Sequence, residues 1–182
     1  MNACKAMNEL PLHWSIDTNP IVNTPAVFDF EAAPSELRAL KDYAEVEDIS
    51  SFKAHVKAAP LGSGKFRVSG TFQAQVVQSS VVDLSAVPST IEESFSLEYW
   101  PADLIAGAPE EAAPFDADPP KPIVGGHIPA GELLCELLAV SINPYPRNEG
   151  DSFEWTPPHP EPETSPFAGL ARLKPPKAAQ EE

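Results

Sequence analysis

Residues 52–77, FKAHVKAAPLGSGKFRVSGTFQAQVV, decide the fold. Phe52, Ala54, Val56 and Ala58 alternate with Lys53, His55 and Lys57. On the return run, Phe66, Val68, Gly70, Phe72, Ala74 and Val76 alternate with Arg67, Ser69, Thr71, Gln73 and Gln75. A period of two is the signature of a strand with one face buried. Leu61-Gly62-Ser63-Gly64 between the runs supplies the glycines that a tight hairpin connection requires. At Val76-Val77 the alternation breaks, which predicts a bulge or bend, and Val81, Val82 and Leu84 continue the apolar content.

Working outward toward the N-terminus, Leu12–Ile16 and Ala26–Glu31 read as short strands. In the second, Phe28 and Phe30 alternate with Val27, Asp29 and Glu31. Pro34-Ser35-Glu36 suits the first turn of a helix, and Leu37, Leu40, Lys41 and Tyr43 extend it at helical spacing over residues 35–44. Toward the C-terminus, residues 90–100 read as a strand with Ile91, Phe95, Leu97 and Tyr99 facing the core. Residues 101–121 have the Pro, Ala and acid content of a flexible linker. A short extended piece over 122–127 leads to Leu133, Leu134, Leu137, Leu138, Val140 and Ile142, the apolar stripe of a helix over 130–142 that Pro144 ends. Residues 144–165 are polar and Pro-rich, and Phe167 to Lys174 form a closing amphipathic turn or two.

Proline follows the same division, with six in residues 1–100 and sixteen in 101–182. The expected architecture is α+β: an antiparallel sheet of four to six strands with a long hairpin, two or three helices, and a Pro-rich C-terminal arm. Residues 1–100 would form the β-rich core with one helix and 101–121 an acidic linker. Residues 122–182 would contribute the helix 130–142, a Pro-rich loop and a C-terminal docking segment packing on the same domain.

Charge narrows the function. Twelve Lys and Arg against 27 Asp and Glu give a formal net charge of −15. Such a surface repels nucleic-acid phosphate and anionic lipid, whereas a basic protein partner suits it. No run reaches the roughly 18 apolar residues that a spanning helix needs, and the opening MNACKAMNELPLHW lacks the pattern of a secretory signal. Cys4 and Cys135 are too unlike in setting to suggest a structural disulfide, so a reducing, cytoplasmic location is expected.

Catalytic patterns are lacking. His13, His55, His127 and His159 are scattered over different elements and form no metal-ligand motif. Gly62-Ser63-Gly64-Lys65 lacks the spacing of a phosphate loop and joins two strands. Ser79-Ser80 has no base nearby, and Cys135 sits in an apolar stripe where a buried, unreactive thiol is the rule. Neither an enzyme, a metal, a cofactor nor a small-molecule substrate is expected. Trp100, Trp155 and Phe167 are candidates for exposed partner anchors.

The order of these pieces resembles a known family. HWSID and FDFEAAPSELRAL open the chain, the long hairpin follows, and ELLCELLAVSINPYPR and SPFAGLARLK close it. Across residues 11–174 this is similar to the bacterial YceD family of large ribosomal RNA subunit accumulation proteins, in an alphaproteobacterial-like variant. The resemblance implies a role in the synthesis, processing or stability of 23S ribosomal RNA, and no catalytic residue. Many members carry a Cys-x-x-Cys pair at the end of the long hairpin strand, where this chain has Ser80 and Asp83. A metal or redox role does not carry over. The expected partner is a basic ribosomal or assembly protein, with Phe167, Leu170, Leu173 and Lys174 as the docking side chains. Two other readings compete: direct contact with pre-ribosomal RNA through Lys53, Lys57, Lys65 and Arg67, and a carboxylate-dependent hydrolase.

Overall fold

The computed structural model describes residues 10–106 and 119–150. The chain divides into a unit Met1–Glu149 and a second unit Gly150–Glu182; the architecture below is that of the first. In chain order its elements are β1 (Ile16–Asp17), β2 (Ala26–Glu31), α1 (Pro34–Ala44), β3 (Asp48–Gly62), β4 (Lys65–Ser79), β5 (Ala86–Pro101), α2 (Ala102–Ala106), β6 (Lys121–Ile123), β7 (His127–Ile128) and α3 (Ala130–Ser141). The fold is α+β: a five-stranded sheet in the order β2-β3-β4-β5-β6, a two-stranded antiparallel pair β1-β7, and three helices among the described residues.

The hairpin forms as read. Gly62 pairs with Lys65, leaving Ser63-Gly64 as a two-residue loop. Both loop residues have positive φ, 53° and 73°, as a type I′ turn demands. That turn matches the right-handed twist of the strands, which is why the two fifteen-residue arms stay paired along their length. The expected irregularity at Val76-Val77 falls on the opposite strand. β4 pairs with β5 without a break from Phe66 to Ser79, while Ser50 of β3 is the extra residue between Ile49 and Ser51.

One face of the sheet is buried. Phe52, Val56, Val68, Phe72, Phe95 and Tyr99 point into a cluster completed by Leu40 of α1 and Leu133, Leu134, Cys135 and Leu138 of α3. The Phe52 and Phe72 rings stack at 5.6 Å between centroids. Gly70 is required on this face, since a Cβ there would lie 2.0 Å from the His55 carbonyl oxygen. The opposite face, including Lys53, His55, Lys57, Arg67 and Gln73, is exposed. Helix α1 starts as its sequence suggests, with Pro34 in its first turn. The Glu36 carboxylate accepts from the Ala33 N–H at 2.8 Å and from the Trp14 indole at 3.0 Å, holding the helix start to the core aromatics.

A single backbone bond sets the phase of the antiparallel ladders. The Ala32 N–H donates to the Phe52 carbonyl at 3.0 Å, so those two residues form a hydrogen-bonded pair. Bonded and non-bonded pairs alternate along an antiparallel ladder. Phe28 and Phe30 therefore turn their amides toward β3, while Lys53, His55 and Lys57 bond to β4. Val68, Gly70 and Phe72 in turn bond to β5. It follows that Thr90, Glu92, Ser94 and Ser96 direct their amides to the outer side of β5. Pro88, paired with Val77, sits where its missing N–H would have faced outward.

Several expectations need correction. Leu12–Ile16 is not a strand: only Ile16–Asp17 pairs, with β7. Leu12 is buried against a helix instead, with the Gly131 N–H of α3 donating to the Trp14 carbonyl at 2.8 Å, so its apolar character reflects helix contact and not a sheet face. Within the span 101–121 expected as a linker, Pro101 ends β5, Ala102–Ala106 is helical and Lys121 opens β6, while residues 107–118 lie outside the described residues. β6 pairs parallel to β5, the one departure from an antiparallel sheet among the described strands. The extended piece over 122–127 is two short strands around a turn in which Gly125 and Gly126 adopt positive φ. β5 starts at Ala86, ahead of the expected residue 90, because Pro88 is tolerated at an edge.

Candidate functional site

The exposed sheet face carries the basic side chains singled out in the sequence, and the ladder fixes what lies beside each. Row by row across β2, β3, β4 and β5, the neighbours are Glu31–Lys53–Gln73–Glu92, Asp29–His55–Thr71–Ser94 and Val27–Lys57–Ser69–Ser96. Lys53 Nζ lies 3.0 Å from Glu31 Oε1. His55 Nδ1 lies 2.6 Å from Asp29 Oδ1. Near the hairpin turn, Arg67 Nη2 donates to Glu98 Oε1 at 2.8 Å and the Trp100 indole N–H donates to Glu98 Oε2 at 3.0 Å. These hydrogen bonds, that from Arg67 foremost, hold the Glu98 carboxyl below its usual range. Lys65 Nζ stands 3.5 Å above the Trp100 ring centroid, a cation–π contact.

The structure thus brings Lys53, Lys57, Lys65 and Arg67 onto one face, as the alternation predicts, but interleaves them with carboxylates. Lys53 and Arg67 are ion-paired and Lys65 is stacked, while Lys57 takes part in no ion pair among the described residues. Asp29, Glu31, Glu92 and Glu98 on the same face balance the four cations. This face offers phosphate no net positive field. Phe167, Leu170, Leu173 and Lys174, together with Trp155, lie outside the described residues.

A depression of about 380 Å³ lies on this face, lined by Asp29, Glu31, Lys53, His55, Gln73 and Glu92 among others. The row Asp29–His55–Thr71 has the residue types of a hydrolytic triad. No hydrogen bond joins His55 to Thr71 among the described residues, however, so the contact that would activate a hydroxyl nucleophile is missing. No group of three or more His, Cys, Asp or Glu among the described residues is placed to hold a metal ion. Cys135 is fully buried, and burial pushes its thiol up to about 11.

Ser80 and Asp83 lie in the turn between β4 and β5. The Ser80 N–H donates to the Ser85 carbonyl at 2.8 Å, and Asp83 Oδ1 accepts from the Ser85 N–H and hydroxyl at 3.0 and 2.6 Å, which lowers the Asp83 carboxyl. Residues 143–148 latch onto this turn. Val81 N–H donates to the Pro146 carbonyl, Gln78 Nε2 to the Asn143 carbonyl and Asn148 Nδ2 to Ser85 Oγ, at 2.9, 2.8 and 2.8 Å. Val81, Leu84 and Tyr145 are left exposed there, with Leu84 in the left-handed region at φ 63°. Asn143 to Arg147, the NPYPR end of the run ELLCELLAVSINPYPR, is thus the segment that holds the β4–β5 turn. The signal was present in the prolines at 144 and 146, which keep the segment extended enough to lie along a turn.

Among the described residues no helix is long and apolar enough to cross a membrane. No protein-family model, curated protein or solved structure matches the chain.

Proposed function

We propose that this protein is a non-enzymatic factor for the accumulation of large-subunit ribosomal RNA, the role implied by its resemblance to the YceD family. It acts on the synthesis, processing or stability of 23S ribosomal RNA in the cytoplasm, by binding a basic ribosomal or assembly protein. The observation that carries the protein-mediated route is the neutralised sheet face. With Lys53 on Glu31, Arg67 on Glu98 and Lys65 over Trp100, three of the four basic side chains on this face are engaged within a chain of net charge −15. Phe167, Leu170, Leu173 and Lys174 are the proposed docking side chains beyond the described residues.

Depletion of the protein in growing cells, followed by measurement of the 23S to 16S ribosomal RNA ratio, tests the role. A fall in that ratio supports it; an unchanged ratio with normal large subunits overturns it. Recovery of pre-ribosomal particles on the full chain and on a chain ending at residue 163 tests the docking segment, and equal recovery removes it from the account.

A further inference from the structure

Among the described residues the outer side of β5 is a long open edge. β6 pairs only with Tyr99, Trp100 and Pro101, so from Ala86 to Glu98 no strand lies beside β5 among the described residues. The ladder phase turns the amides of Thr90, Glu92, Ser94 and Ser96 outward along this stretch, and none of them makes a further backbone bond among the described residues. Such a row of unpaired donors and acceptors is a template for an added strand.

The side chains along the edge state what kind of strand fits. Glu92 lies on the exposed face and Glu93 on the opposite face; both are exposed and neither forms an ion pair among the described residues. The other edge differs, because Asp29 and Glu31 of β2 already face His55 and Lys53. Beneath the β5 edge, Ile91 and Leu97 are half-buried beside buried Phe95. A second copy of this chain would bring further carboxylates onto Glu92 and Glu93 at a net charge of −15 per chain, an arrangement that like-charge repulsion opposes.

We propose that the β5 edge over Thr90–Ser96 receives an extended basic protein segment by strand addition. Alternate Lys or Arg side chains lie on the exposed face beside Glu92, and the side chains on the opposite face are apolar beside Ile91, Phe95 and Leu97 and basic beside Glu93. The proposal rests on the reading of the protein as a binding factor for a basic partner, and it names that partner's recognised chemistry.

The test uses the full chain and a labelled nine-residue peptide alternating lysine and valine, with binding read by fluorescence anisotropy. Two further peptides carry backbone N-methyl groups, one on every lysine and one on every valine. They keep all charges and differ only in which alternate amides can donate. Strand addition predicts that one methylated peptide binds as the parent does while the other loses about tenfold or more, several hydrogen bonds being removed. Loss with the lysine set corresponds to antiparallel addition and loss with the valine set to parallel addition.

Thr90→Pro and Ser94→Pro, which delete outward donors and leave the β4–β5 bonds intact, should lower binding to a similar degree. Equal binding of the two methylated peptides, or no binding of the parent, overturns the proposal. So does a free protein whose Thr90 to Ser96 amides are already protected from hydrogen exchange, since another strand then occupies the edge. Those results leave the ribosomal reading standing, whereas an unchanged 23S to 16S ratio on depletion sinks that reading and not the edge.

Discussion

Lys53 Nζ and Glu31 Oε1 meet at 3.0 Å across the β2–β3 ladder, where the two residues are direct cross-strand partners. Both side chains are more than half exposed, so the pair contributes no more than about 0.2–1 kcal/mol to stability. Its consequence is electrostatic. Together with Arg67–Glu98 and the neighbouring carboxylates Asp29 and Glu92, it turns a row of cations, basic when read from one strand at a time, into a balanced surface. Reversing Lys53, Lys57, Lys65 and Arg67 to glutamate should therefore change affinity for a 23S ribosomal RNA fragment by less than about twofold, since few phosphate contacts are there to lose. The combined Glu31→Gln and Glu98→Gln variant should gain RNA binding with a steeper salt dependence. A large loss on charge reversal would restore the direct RNA route.

The Glu98 carboxyl gives a pH dependence. Its folded-state value is lowered, chiefly by the Arg67 hydrogen bond, so the unfolded chain binds the proton more readily than the folded one. The stabilisation is present above the ordinary glutamate range and is lost as pH falls through the lowered folded value. Urea unfolding from about pH 3 to about pH 6, which brackets that range, should show a shallower decline toward acid for Glu98→Gln than for the parent chain. Identical slopes would mean that the Arg67 and Trp100 bonds do not form in solution.

Two backbone positions should respond in opposite directions. Leu84 holds a positive φ and is 80% exposed, so Leu84→Gly should stabilise the fold by about 1 kcal/mol. Gly131 sits where a Cβ would come 2.2 Å from the Leu12 carbonyl oxygen and 2.9 Å from the Trp14 nitrogen, all backbone atoms that cannot swing away. Gly131→Ala should cost about 1–3 kcal/mol, the range for overpacking a close-fitted site. Both are read from urea midpoints.

How much of this was open to a reader of the sequence depends on what each residue's neighbours had to do. Alternation over 52–77 and the glycines at 62 and 64 are local signals, and local geometry sufficed to place β3, β4 and their turn. The stripes of Leu37–Leu40 and Leu133–Leu138 placed α1 and α3 almost to the residue. Leu12 misled because an apolar residue buried under a helix looks the same in sequence as one buried in a sheet. The partners of Lys53, Lys65 and Arg67 depend on cross-strand register, which links residues up to 35 positions apart in the Lys65–Trp100 contact. For the same reason the open edge of β5 could not be read before the strand order was known.

Cys135 tests the packing of α3 on the core. The thiol is buried, and burial raises it to about 11, so little thiolate exists at neutral pH. In a Cys4→Ser background the native protein should react negligibly with an aromatic disulfide reagent at neutral pH, and labelling should rise together with urea unfolding. Rapid labelling in the native state would show that α3 leaves the sheet more readily than the buried cluster implies.

On the proposed function the protein reaches the large-subunit precursor through a basic protein. Affinity purification of the tagged full chain from growing cells, split into samples with and without ribonuclease treatment before washing, measures it most directly. The expected result is co-purification of 23S precursor RNA in the untreated sample and retention of at least one basic large-subunit or assembly protein after treatment. Absence of large-subunit precursors, or loss of every protein partner on ribonuclease treatment, would contradict it.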